Sequence, residues 1–167
     1  MRRRTLFLLI ITAGLAACSG ASPAPSGGRA PGTPASNSAN ASQVVITGAI
    51  NKTYTPVSVE AGPLVNHIVI NVNEADVGGV TLQFPMDTQP GTCPIGDHLH
   101  NPNVDVLAEY DTFGDNAALY LSTKGTLTLT ATGDQLSGMF QFTAEYNKDE
   151  SKTINVAGAF VEVPFTK

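Results

Sequence analysis

From Val44 onward apolar and polar residues alternate one by one, and no window of 11 or more residues carries an apolar face at helical spacing. A period of two is the mark of strands, whose successive side chains point to opposite faces. Val44, Ile46 and Ile50 alternate with Val45, Thr47 and Ala49. Leu64, Ile68, Ile70 and Val72 alternate with His67, Val69, Asn71 and Asn73. The pattern continues through Val80, Leu82 and Phe84, then Val104, Val106, Ala108 and Tyr110. It is clearest in Leu127, Leu129 and Ala131 against threonines, and in Phe140, Phe142, Ala144 and Tyr146. One apolar and one polar face is the signature of an antiparallel sheet packed on a core from one side.

Turn residues divide the runs. Ser122-Thr123-Lys124-Gly125, Gly133-Asp134 and Asn147-Lys148-Asp149-Glu150 each stand between two of them. They predict an up-and-down meander of strands near 116–122, 125–132, 136–146 and 151–164. The last run changes phase around Gly158, where a bulge is expected. With one strand from 53 to 59, about eight are expected. The expected fold class is all-β: an antiparallel β-sandwich or a small, partly open barrel.

The first 42 residues have a different texture. Arg2, Arg3 and Arg4 precede the apolar run Leu6–Ile11, and Leu15-Ala16-Ala17-Cys18 follows. The stretch Thr5–Ala17 is short of the roughly 20 residues that span a bilayer. A basic start, a short apolar centre and a small-residue cleavage site make a signal peptide. With cysteine just after the site, it resembles a bacterial lipoprotein signal. That resemblance implies cleavage before Cys18, a diacylglycerol thioether on its sulfur and acylation of the new amine. Residues 1–17 are then the signal and 18–42 a lipidated linker. The linker is almost wholly Ser, Ala, Pro, Gly, Asn and Thr, too polar to offset its ordering entropy, so a disordered tether is expected before an all-β domain at 43–167. The implied place is the bacterial cell envelope, on the outer or plasma membrane, held by acyl chains on Cys18.

Charge narrows the partners. The chain carries −5, and losing three arginines with the signal takes it to −8. An acidic surface repels phosphate backbones, so nucleic acid is not an expected partner. A small ligand or an envelope protein remains. The chain has two cysteines. With Cys18 committed to lipid, no disulfide framework is expected and the fold has to stand on its own core.

A second resemblance lies in the C-terminal third. Gly125-Thr126-Leu127-Thr128-Leu129, Leu136-Ser137-Gly138-Met139-Phe140-Gln141-Phe142-Thr143-Ala144 and the closing Gly158-Ala159-Phe160 near Val163-Pro164 are similar to a family of uncharacterised bacterial lipoproteins. Gly91-Thr92-Cys93-Pro94-Ile95 is similar to a Gly-Thr-Tyr-Pro-Ile segment of the same group. The resemblance covers about half of the folded part. It implies a lipocalin-like or sandwich-like fold and carries no assigned site residues. This chain departs from it at Met139, where threonine is usual, and at Cys93, where tyrosine is usual.

Few residues offer chemistry. Cys93, His98 and His100 form a soft-ligand cluster within eight residues that could take zinc or copper, and in a strand His98 and His100 would share a face. A second pair of ligands is missing, and the plainer expectation is a polar loop with Cys93 packed as a small apolar residue. Asn71, Asn73, Glu74 and Asp76 make an oxygen-rich turn of the kind calcium uses, without EF-hand spacing. Asp111, Asp115 and Asn116 make another. Nucleophile-elbow, phosphate-loop and zinc-protease motifs are absent, so no enzyme and no cofactor is expected. A cavity lined by Phe140, Phe142 and Tyr146 would favour a small ligand; otherwise those rings fill the core. The function expected is a non-enzymatic binding or structural module on a lipid anchor, with metal binding through Cys93, His98 and His100 as the alternative.

Overall fold

A computed structural model of the chain describes residues 43–166. The signal, Cys18 and the linker lie outside the described residues, as does Lys167. The alternating runs become ten strands: β1 Val44–Gly48, β2 Lys52–Tyr54, β3 Ser58–Leu64, β4 His67–Glu74, β5 Gly78–Pro85, β6 Gly91–Ile95, β7 Leu107–Thr112, β8 Leu119–Ala131, β9 Gln135–Tyr146 and β10 Asp149–Pro164. All belong to one antiparallel sheet in the order β2-β1-β10-β9-β8-β7-β5-β4-β3, with β6 paired to β8.

Strands β2 and β3 are the two ends of that order, yet only Thr55, Pro56 and Val57 join them. Such a link spans at most about 14 Å, so the sheet has to curl until its edges approach. The Tyr54 phenol donates to the Val72 carbonyl at 3.3 Å. The Val57 N–H donates to the Asn73 carbonyl at 2.9 Å. The result is a curled half-barrel built from a single sheet, within the class the alternation predicts.

The curl has visible causes. Register shifts fall between Ser122 and Lys124 and between Leu129 and Ala131 in β8. Two more fall between Asp149 and Thr153 and between Phe160 and Val163 in β10. An extra residue on one strand bends it and raises its twist. Three glycines add to this, each paired across strands with a phenylalanine: Gly125 with Phe142, Gly138 with Phe160 and Gly158 with Phe140. A Cβ on Gly158 would lie 2.6 Å from the Phe140 ring, and one on Gly138 would lie 2.8 Å from the Phe160 ring. These rings fill the space a side chain would take, and glycine lets the strands coil there.

The inner face is apolar apart from Ser122. Ile70, Leu82, Phe84, Leu127, Phe160 and Ile154 are fully buried. Each such side chain contributes roughly 1.5–3 kcal/mol by leaving water. A row of tyrosines crosses the core: Tyr110 pairs with Tyr120, and Tyr120 with Tyr146. Their ring centroids are 6.3 and 5.5 Å apart, and the Lys152 ammonium caps the row 5.6 Å above Tyr146. Burial pushes the Tyr110 phenol up to about 12, with Glu74 and Asp111 adding to it. Phe140 and Phe142 are buried with ring centroids 6.2 Å apart, so these aromatics pack against each other in the core.

Three expectations need correction. Ser122–Gly125 is no turn: it lies inside the 13-residue β8, at a bulge that β9 runs past. The strand expected at 53–59 is broken into β2 and β3 around Pro56, which has no N–H for a ladder. The phase change in β10 falls after Phe160, because Gly158 is held in register under Phe140; Val161 and Glu162 form the irregular step, with Glu162 at φ 51°.

Candidate functional site

Among the described residues Ser122 is the one buried polar side chain of the core. Its hydroxyl donates to the Gly96 carbonyl at 3.0 Å and accepts from the Ala108 N–H at 3.3 Å. Its own carbonyl accepts from His98 N–H at 2.7 Å and Leu99 N–H at 3.3 Å. The bulge in β8 follows from this, since Ser122 turns its backbone toward the segment between β6 and β7.

That segment is a compact loop. Gly96 donates its N–H to the Val106 carbonyl at 2.8 Å, so the chain leaves the sheet at 96 and returns at 106. Val104 closes the base by packing on Gly96, where a Cβ would come within 2.7 Å of it. Loops of this length with joined ends are compact and often functional.

Both expected histidines lie here. His98 Nε2 meets Glu109 Oε1 of β7 at 3.0 Å. A carboxylate can only accept, so in this pair the ring hydrogen on Nε2 is the donor. Nδ1 is buried with no hydrogen-bond partner. His100 is exposed. Its Nδ1 lies 2.9 and 3.0 Å from the two Asp97 oxygens, and its Nε2 lies 3.9 Å from Glu150. The Asp97 carboxylate holds the His100 imidazole above its ordinary range, and the His100 contacts hold Asp97 below the carboxylate range, the His100 backbone N–H first among them.

The soft-ligand cluster does not assemble. His98 and His100 sit in a turn rather than a strand, and each faces its own carboxylate. Cys93 is fully buried on the core side of β6. Its sulfur is not a free thiol, so it offers a metal no thiolate. The oxygen-rich turn is spoken for as well. Asn71 accepts from Thr81 at 3.1 Å, Asn73 donates to Ser58 at 2.9 Å, and Glu74 pairs with Lys52 at 2.6 Å. Asp111 is half-buried beside Leu119, and burial raises its carboxyl. Among the described residues no three His, Cys, Asp or Glu side chains come close enough to hold a metal.

Sequence spacing misses Glu109, Ser122 and Glu150, because each meets the loop from a strand 11 to 50 residues away. The alternation of β7 marks Glu109 as polar without marking its partner.

A concave surface lies on the outside of the sheet. Strands β1, β10, β9 and β8 form a shallow hollow of about 570 Å³. Thr47, Thr126, Gln141, Thr143 and Asn155 line it, with Lys124 as its one charge. Thr143 donates to Asn155 at 3.0 Å. Hydroxyl and amide groups can hydrogen-bond a polar partner there. No helix among the described residues is long and apolar enough to cross a membrane. No protein-family profile, no curated protein and no solved structure matches the chain.

Proposed function

We propose that the chain is a bacterial envelope lipoprotein, anchored through acyl chains on Cys18, whose half-barrel is a non-enzymatic binding or structural module. The observation that carries the reading is the order of its parts. A basic start, a short apolar run and Leu15-Ala16-Ala17-Cys18 lead into 24 residues with the single charge of Arg29, and the first strand begins at Val44. A flexible segment of that length has an r.m.s. span of roughly 25–30 Å, enough to lift a domain off a lipid headgroup layer. Two or more acyl chains make attachment persistent where one does not.

Two features support a binding or structural role. The His100 ring and the Asp97 carboxylate hold the loop together, and the buried Ser122 hydroxyl is used inside the fold, donating to Gly96 and accepting from Ala108. The inner face is packed with side chains, which moves partner contacts to the outside, where β1, β10, β9 and β8 form a shallow hollow. The resemblance of the C-terminal strands to uncharacterised envelope lipoproteins agrees with this.

Metabolic labelling with a radioactive fatty acid in a bacterial host tests the anchor. Label is expected in the wild-type chain and absent from Cys18→Ser. Equal label in both chains, or none in either, overturns the reading.

A further inference from the structure

We propose that the outer face of β1, β10, β9 and β8 is an interface between two copies of this chain, in which Met139 of each copy enters the hollow of the other. The inference rests on the reading of an anchored binding or structural module and names a second copy as the partner.

Charge is the first ground. The register sets three rows of outward side chains across these strands. Thr47, Asn155, Thr143 and Lys124 form one row. Val45, Ala157, Gln141 and Thr126 form the next, and Ala159, Met139 and Thr128 the third. None of the chain's 14 acidic residues stands in these rows, and Lys124 is their one charge. Outward positions elsewhere do carry charge: Glu60 on β3, Glu109 on β7 and Glu145 at the border of the face on β9. Loss of charge with an exposed methionine marks the core of a protein interface. Two copies of an acidic domain repel each other, so an uncharged face is where they can meet. Its hydroxyl and amide groups both donate and accept, so the face can hydrogen-bond its own copy.

Shape is the second ground. The hollow holds about 570 Å³, and Gly125, Thr126 and Ala157 leave it open. Met139 lies one row along β9 from Gln141, which lines the hollow, and is 51% exposed. An unbranched thioether adapts to irregular gaps. A two-fold contact needs each copy to offer both knob and hole at matching places. An axis running across the strands, between the Met139 row and the Gln141 row, meets that need. It lays each Met139 over Gln141 and Ala157 of the other copy, with strands aligned as in stacked sheets. The two Lys124 ammonium groups then stand about 20 Å apart, three rows of roughly 6.8 Å, and do not oppose the contact. Four strands by three rows give roughly 400 Å² on each copy, about half the share of about 800 Å² in a standard interface. Free copies therefore pair weakly, and confinement of both to one lipid surface strengthens the pairing.

A photoreactive benzoylphenylalanine at position 92 reads the contact, because Thr92 is exposed at the margin of the face and pairs with Thr128. The full acylated chain is reconstituted into phosphatidylcholine vesicles and irradiated. The expected product is an adduct of twice the chain's mass. Met139→Glu and Ala157→Glu, both at exposed positions, each put an unpaired charge into the contact and should lower the yield by about tenfold or more. The same probe at position 60, on the far edge of the sheet, should give no adduct. No adduct from position 92, equal adducts from 92 and 60, or an adduct that survives both glutamates overturns the interface while the anchor stands. If the chain does not float with the vesicles, the anchor fails, and the same irradiation in concentrated solution judges the interface alone. A doubled adduct that Met139→Glu removes then upholds it, and its absence overturns it.

Discussion

Replacing Gly158 by alanine tests how the sheet is bent. A Cβ there would stand 2.6 Å from the Phe140 ring, where carbon atoms rest about 3.5–4.0 Å apart. The ring has to retreat by about 1 Å, and the surrounding core does not yield freely, with Ile154 and Val156 buried on the same strand. Overpacking of this kind costs about 1–3 kcal/mol. Alanine recovers about 0.5–1 kcal/mol of backbone entropy that glycine loses in a strand. The net expectation is about 0.5–2 kcal/mol of destabilisation, which urea unfolding reads as a lower midpoint at unchanged slope. Phe140→Leu removes the atom the new methyl strikes. In that background Gly158→Ala should be neutral or stabilising, giving a coupling of about 1–3 kcal/mol in a double-mutant cycle. Equal effects of Gly158→Ala in both backgrounds would refute the idea that ring and glycine occupy one shared space.

Ser122→Ala leaves the Gly96 carbonyl and the Ala108 N–H without their partner and should cost about 1–3 kcal/mol; hydrogen exchange should speed up across 96–106 while β4 and β5 keep their protection, and a uniform loss would contradict a local role. The His100–Asp97 pair depends on pH. His100 is raised, so its contribution is complete below the ordinary imidazole range and fades as pH rises through the folded value; Asp97 is lowered, so its contribution is present above the ordinary carboxylate range and fades as pH falls. The pair therefore works best from about pH 4 to 6.5. Asp97→Asn should open the loop to protease at pH 5.5 and change little at pH 8.5; the opposite order would count against the assignment. Phe140→Ala should cost about 3–5 kcal/mol as an unfilled core cavity, and a loss under 1 kcal/mol would mean that the inner face is not packed.

Much of the sheet was legible because each half-buried strand writes its period in the sequence. Ile68, Ile70 and Val72, Val80, Leu82 and Phe84, and Phe140, Phe142 and Ala144 are all buried as their alternation requires. Strand β6 was hidden because Pro94 and two glycines break its pattern; proline is tolerated there because Pro94 faces outward on a short strand paired only to β8. Ser122–Gly125 misled because the residues that make turns also make bulges, and only the partner strand decides between them. The histidine pairs were half legible: Asp97 stands three residues from His100, whereas Glu109 reaches His98 only because the loop folds back on β7. The closing of the sheet could have been read from the three-residue link at Thr55–Val57, but only once β2 and β3 were known to be opposite edges.

Intact-mass spectrometry of the protein from its native host goes to the centre of the account. The expected species begins at Cys18 and carries the added mass of a diacylglycerol and an amide-linked acyl chain, or of the diacylglycerol alone. A species that retains Met1, or one that begins at residue 18 with no lipid mass, contradicts a lipid-held β-domain outside the cytoplasm.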